Sequence, residues 1–330
     1  MTATLIETGT EAGWLAARRE GVTASEIAVV MGLSPYDSPF ALYHRKRGDL
    51  PEVEDSDAME RGRVLEPYIA EKFAALRPEF TLLGDGRQLY AHPDRPWQMA
   101  TPDRFVYEAQ GHPSIWDPLV AVLETKTDAG GDDGWGEDGS DQIPVHYRCQ
   151  VLQQCDVLGV KRWYVACLAM RSWKLRVYTG EIDDQAEADL ELMRREGLAF
   201  LHRIERGDPP DIDWRPQTTA ALKHLNPKVE QVDVTVGRRL AISYRAAVRR
   251  AAEAEQRKDE MTNRMLHAIG SGRRAVEAGT SEVVATRSVY PNRRISTSML
   301  RQDYPDAAAA CTVTRDVTKL LPAKPKKDTA

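Results

Sequence analysis

Long apolar runs are missing from this sequence. None approaches the ~20 residues of a membrane-spanning helix, so a membrane protein is not expected. The opening Met-Thr-Ala-Thr-Leu-Ile-Glu has no basic stretch followed by an apolar one, so it does not read as a signal peptide. Cysteine is scarce: Cys149, Cys155, Cys167 and Cys311 show no C-x-x-C spacing. That argues against a zinc site or an iron–sulfur cluster and suits free thiols in a reducing cytoplasm. The Gly/Asp-rich run from Asp128 to Asp141 lacks the D-x-D-x-D-G register of a calcium loop and reads as surface. Internal repeats are absent.

What is present is charge, unevenly placed. The 330 residues carry a net charge of −5. Residues 236–330 hold 19 Lys and Arg against 10 Asp and Glu, or +9, which leaves −14 for the first 235. An acidic half joined to a basic one fits an enzyme acting on nucleic acid, although on charge alone an ordinary basic helix fits as well.

The most informative stretch spans Trp97 to Lys126. Trp97–Asp103 continuing into Arg104-Phe-Val-Tyr107 reads as one strand, and Leu119-Val-Ala-Val-Leu-Glu-Thr-Lys126 as a second that turns abruptly charged. Alternation puts Glu124 and Lys126 on one face and Thr125 on the other. Two carboxylates, Asp103 and Glu124, are costly to bury unpaired, and a divalent cation would resolve that cost. Their hard oxygens suit Mg²⁺, and Lys126 would then orient a water or offset phosphoryl charge.

Before this stretch, helices are expected over 11–31 with an internal turn, from Ser38-Pro39 through Tyr43, and over Asp57–Leu76. Thr23-Ala-Ser-Glu26 resembles a capping sequence. Arg18, Arg19 and Ser25 near it offer a place for a phosphate, with capping or packing as the other role for Ser25. Phe80–Leu83 and Gln88–Tyr90 suggest strands. Afterwards come a helix over 145–158 with Gln150 and Gln154 on one face, strands over Trp163–Ala169 and Lys174–Thr179, and an amphipathic helix over 184–206 stopped at Gly207. The core is expected to span 1–213 and a linker 214–235. Residues 236–321 would hold a long basic helix, over 236–269, and a small α/β region with a strand at Glu282–Val289, a helix from Ser298 and a strand near Val313–Leu320. The basic tail 322–330 reads as disordered.

Trp14-x-x-x-Arg18 with Thr23-Ala-Ser25, Gly32-Leu-Ser-Pro-Tyr36, Gly62-Arg-Val-Leu-Glu66, Pro102-Asp103, Glu124-Thr-Lys126 and the segment Trp135, Ile143-Pro144, Tyr147, Gln150 occur in that order. Together they resemble the YqaJ-like viral recombinase family, relatives of lambda-type exonuclease within the PD-(D/E)xK nuclease superfamily. The resemblance implies a restriction-endonuclease-like α/β fold, with a central mixed β-sheet flanked by helices. It implies that Asp103, Glu124 and the Thr125 carbonyl hold a Mg²⁺ or Mn²⁺ ion, which Glu66 approaches through water or a second ion. Lys126 would position the attacking water, with Gln150 nearby. Arg18, or Arg19 beside it, and Ser25 would bind a 5′-phosphate.

The implied activity is 5′-to-3′ digestion of double-stranded DNA ends in a phage-type recombination system. It would leave 3′ single strands for an annealing protein, and the implied assembly is a ring-shaped trimer in the cytoplasm. The insertion-like Gly111–Pro118 and the length beyond residue 213 depart from the family pattern. Rival readings are a repair or defence nuclease of the same fold with endonuclease action or other polarity, and a non-catalytic DNA-binding scaffold. The intact Asp103/Glu124/Lys126 set speaks against the scaffold.

Overall fold

A computed structural model of the chain describes residues 3–109, 118–130, 134–314 and 319–323. It divides into two compact units, Met1–Lys228 and Val229–Ala330. The first unit runs β1 (Thr4–Ile6), α1 (Glu11–Arg19), β2 (Val22–Thr23), α2 (Ala24–Val30), α3 (Pro39–Lys46), α4 (Asp57–Leu76), β3 (Phe80–Leu83), β4 (Leu89–Ala91), β5 (Gln98–Ala100), β6 (Arg104–Glu108), β7 (Leu119–Asp128), α5 (Val145–Leu158), β8 (Arg162–Ala169), β9 (Lys174–Glu181), α6 (Asp184–Arg206) and α7 (Pro216–Leu225).

The main sheet has the order β3-β6-β7-β8-β9, with β7 and β8 parallel and every other pair antiparallel. A parallel pair cannot be joined by a tight turn, and α5 supplies the crossover. Period-two alternation sorts the strand side chains between two cores. Val122, Trp163, Val165 and Cys167 pack with Ile27 of α2, Leu152 of α5 and Met193 of α6. Leu123, Tyr164, Ala166 and Leu168 pack with Ile69 and Phe73 of α4. Glu124 shares the parity of Val122, which turns it toward α5. This is the expected mixed α/β core with helices on both faces. Among the described residues no helix is long and apolar enough to cross a membrane.

A smaller sheet, β1-β4-β5-β2, joins this core through α5. The helix is buried nearly all round, so its glutamines must find partners inside. Gln153 Nε2 donates to the carbonyls of Val22 (2.8 Å) and Met99 (3.0 Å), which ties β2 and β5 to the helix.

Two expectations need correction. Trp97–Tyr107 is not one strand: β5 belongs to the small sheet and β6 to the large one. Pro102 between them has no N–H to continue a ladder, so pairing stops and the chain changes sheets at Thr101–Asp103. The span 214–235 is not all linker either, and the first unit extends to Lys228. In α7, Ala221 packs with Phe40 and Ala41 of α3, and the buried Thr218 hydroxyl lies 2.8 Å from Ser38 Oγ. Those contacts hold the segment to the core.

The second unit contains α8 (Arg238–Ile269), the antiparallel pair β10 (Arg274–Val276) and β11 (Val283–Thr286), α9 (Thr297–Asp303) and α10 (Pro305–Ala310). β10 was not expected. Residues 315–318 of the expected strand near Val313–Leu320 lie outside the described residues, and 313, 314, 319 and 320 are in no strand; most of the tail from 322 and of the insertion-like Gly111–Pro118 also lies outside them.

Candidate active site

The charged end of β7 meets the first residue after the chain switches sheets. Asp103 Oδ2 accepts from both the amide and the hydroxyl of Thr125, each at 2.7 Å. Glu124 is 3% exposed, and Lys126 Nζ donates to its Oε1 at 2.5 Å. Gln150 Nε2 donates to the same oxygen at 2.6 Å, and Gln154 Nε2 to Oε2 at 2.7 Å. Glu124 and Lys126 therefore share a face, as alternation requires. Thr125, instead of being idle on the other face, anchors Asp103.

Asp103, Glu124, Thr125 and Lys126 line a cleft of about 830 Å³ that also includes Glu66 of α4, Tyr36 and Tyr147. Tyr36 and Tyr147 meet through their hydroxyls at 3.3 Å, and Lys126 Nζ sits 4.8 Å from the centre of the Tyr147 ring.

Electrostatics set this cleft apart. Burial and then the neighbouring Glu124 charge push the Asp103 carboxyl up to about 7, against the pull of Lys126. Burial alone would drive Lys126 toward neutrality, but Glu124 and Asp103 outweigh it and hold the ammonium protonated. One ammonium facing two buried carboxylates leaves negative charge uncompensated. Among the described residues no three Asp, Glu, His or Cys side chains converge as a ligand cluster. The residues nonetheless fit Mg²⁺, which takes one or two carboxylates and fills its remaining positions with water and phosphate oxygens.

Glu66 lines the same cleft but is committed elsewhere. Arg104 Nη1 donates to Glu66 Oε1 at 2.6 Å and to the Asp103 carbonyl at 2.5 Å. Sequence reasoning missed Arg104, although it directly follows Asp103. It also gave Gln154 no role, although the i, i+4 spacing with Gln150 placed both on one face.

The expected phosphate cluster assembles in a second cleft, of about 900 Å³, which shares Tyr36, Val53 and Met59 with the first. Arg18 Nη2 reaches Thr23 Oγ1 and Ser25 Oγ at 3.4 Å each, and its guanidinium lies 4.4 Å from the Trp14 ring centre. Arg19 is paired with Glu52 at 2.6 Å, so Arg18 is the one brought to Ser25. The missed member is Lys46. From the buried face of α3 it donates to Glu26 Oε2 (2.9 Å) and to the Arg18 carbonyl (2.8 Å). Burial pushes the Glu26 carboxyl up, but Lys46 and Arg18 outweigh it and hold it below the usual range. α2 has only seven residues and Glu26 takes the Thr23 amide at 2.9 Å, so the phosphate reading rests on side chains rather than a helix terminus.

The chain is similar to several known proteins. Residues 13–161 match the model of the YqaJ-like viral recombinase domain. A Bacillus subtilis (strain 168) protein named "Uncharacterized protein YqaJ" is 25% identical over 304 residues, which are 89% of this chain and 88% of that one. Among solved structures, LHK-Exo, an alkaline exonuclease from Laribacter hongkongensis, is 22% identical and covers 60% of this chain and 94% of its own, with a TM-score of 0.42. The same protein in complex with dAMP gives 21% identity, the same coverage and the same TM-score. The family matched over residues 13–161 is the one that the ordered motifs resemble.

Proposed function

We propose that the chain is a metal-dependent DNA exonuclease that digests duplex DNA from 5′-phosphorylated ends and leaves 3′ single strands for an annealing protein. One observation carries this reading. The buried Asp103–Glu124 pair with Lys126 lines one cleft, the Arg18–Ser25 cluster lines another, and the two share a wall. A terminal phosphate held in the second would set a phosphodiester bond in the first.

Asp103, Glu124 and the Thr125 carbonyl would hold Mg²⁺ or Mn²⁺, with Glu66 close by. The ion would offset phosphoryl charge and make water more acidic. Lys126, protonated, donates hydrogen bonds to a water or a phosphoryl oxygen rather than acting as a base. Gln150 and Gln154 fix the Glu124 carboxylate. The +9 charge of residues 236–330 supports contact between the second unit and DNA or a partner.

The test is Mg²⁺-dependent digestion of end-labelled linear duplex and closed-circular duplex. Linear DNA should be degraded from 5′-phosphate ends while circles persist. Cut circles would replace the exonuclease reading with an endonuclease one. No cleavage of either form, in Mg²⁺ or Mn²⁺, would remove the nuclease reading.

A further inference from the structure

The turn between β8 and β9 carries Trp173 in an unfavourable state twice over. The residue is 50% exposed and its backbone has φ +58°. A bulky aromatic residue pays for the left-handed region, where Gly or Asn would turn the chain at lower cost. The turn is closed by Ser172 and Trp173 amides donating to the Ala169 carbonyl at 3.2 and 2.7 Å. Nothing in that closure needs an indole.

The indole has company. Its Nε1 donates to Tyr68 Oη at 3.1 Å, and the two ring centres are 6.0 Å apart at 37°. Lys72 Nζ also lies over the Tyr68 ring, 5.4 Å from its centre. Tyr68 and Lys72 sit on α4 at i and i+4, and Arg61, seven residues before Tyr68 on the same face, lines the Asp103–Glu124 cleft. The turn also abuts that cleft. The Met170 amide donates to the Asp128 carbonyl at 2.8 Å, and Asp128 and Gly130 line the cleft. A Cβ built on Gly130 would lie 2.8 Å from Arg171 Nε, so this guanidinium stands at the rim. From Glu124 to Asp128 the strand advances about 13 Å, at ~3.3 Å per residue.

We propose that Trp173 and Tyr68, with Arg171 and Lys72, form a platform on which bases of a single DNA strand stack beside the cleft. This inference rests on the nuclease reading for its orientation. The Arg18 cluster joins the cleft through Tyr36, Val53 and Met59, and the platform adjoins it through Asp128 and Gly130. Aromatic faces accept any base, and the flanking cations meet phosphates, which together give sequence-tolerant strand binding. Charge complementarity favours a nucleic-acid strand over an apolar protein segment.

The test is fluorescence anisotropy of a labelled oligothymidylate and of a matched abasic strand, with the full-length protein in EDTA so that binding is read without cleavage. Trp173→Ala should weaken oligothymidylate binding about tenfold, as removal of one stacking partner does. Abasic binding should be nearly unchanged, and Trp173→Phe should restore most of the loss. Circular dichroism melts confirm that the exposed substitution leaves the fold in place. Equal affinities for wild type and Trp173→Ala, or an equal loss on the abasic strand, would overturn the platform. A protein that cuts DNA but shows no Trp173 effect loses only the platform. One that shows the Trp173 effect but never cuts loses only the nuclease reading.

Discussion

Gln154 Nε2 donates to Glu124 Oε2 at 2.7 Å from a side chain with no exposed surface. Its own Oε1 finds no donor among the described residues, so the amide is oriented for Glu124 at its own expense. Replacing it with leucine leaves one oxygen of a buried carboxylate unpaired, a loss of about 1–3 kcal/mol or more because the acceptor is charged. Gln154→Leu should therefore lower the urea midpoint and slow single-turnover cleavage, with kcat falling more than KM changes. Unchanged stability would show that Lys126 and Gln150 suffice to hold Glu124.

Metal binding should be visible without turnover. Two buried carboxylates against one ammonium are relieved by a divalent ion that binds only the folded state, which at a hundredfold excess over Kd adds about 2.7 kcal/mol. Mn²⁺ or Mg²⁺ should raise the Tm of the wild type by several degrees. Asp103→Asn should raise the metal-free Tm, because it removes one of the two like charges while keeping an acceptor for Thr125, and should abolish both the metal shift and cleavage. A wild type whose Tm ignores both metals would contradict the site.

Away from the cleft, Asp156 of α5 ties three elements together. Arg194 of α6 donates to both of its oxygens (2.9 and 2.6 Å), as does Arg95 (3.0 Å each), and Gln98 of β5 donates to one at 2.6 Å. Burial pushes this carboxyl up, but Arg194, Gln98 and Arg95 outweigh burial and hold it below its usual range. A depressed acid contributes stability that is present above its unfolded pKa, near 3.9, and is lost as pH falls through the lower folded value. Asp156→Asn should cost about 2–3 kcal/mol at pH 7, less than a fully buried pair because the arginine side chains keep 29% and 23% exposure. The penalty should shrink below about pH 4. Urea unfolding at pH 7 and pH 3 measures both, and a penalty independent of pH would point to packing instead.

The uneven legibility of the site has a physical origin. Glu124 and Lys126 were readable because strand alternation is a local rule. The break at Pro102 was equally local and was overlooked in favour of β-branched and aromatic content, so two strands of different sheets were read as one. Gln154 and Lys46 act through contacts 30 and 20 residues away in sequence, made only when α5 crosses the end of β7 and α3 packs under α2. No periodicity encodes such pairings. α7 was read as linker because its Thr218 and Ala221 contacts depend on α3, some 180 residues earlier.

The Arg18 cluster makes the sharpest prediction about DNA ends. Its two hydroxyl contacts are long, 3.4 Å each, so the guanidinium is positioned without being consumed. Its neighbours Arg19, Arg45 and Arg63 are instead closed off in pairs with Glu52, Asp37 and Asp55. Lys46 holds Glu26 at 2.9 Å while Arg18 stands 3.6 Å from the same carboxylate, so Arg18 is the looser partner of Glu26 and can turn toward a ligand. A terminal 5′-phosphate carries more charge than an internal diester and suits a two-pronged arginine contact. Linear duplex with 5′-phosphate should be degraded roughly a hundredfold faster than the same duplex with 5′-hydroxyl, equivalent to the ~2–3 kcal/mol of one charged hydrogen-bonding partner. Arg18→Ala should slow the phosphorylated substrate and leave the hydroxyl substrate nearly unaffected. Arg18→Lys should recover only part of the preference, because an ammonium is a point charge without the planar fork. Matched end-labelled duplexes digested by the three proteins decide the matter. Equal wild-type rates would sink the anchor, and a full preference surviving in Arg18→Ala would move it to another cation.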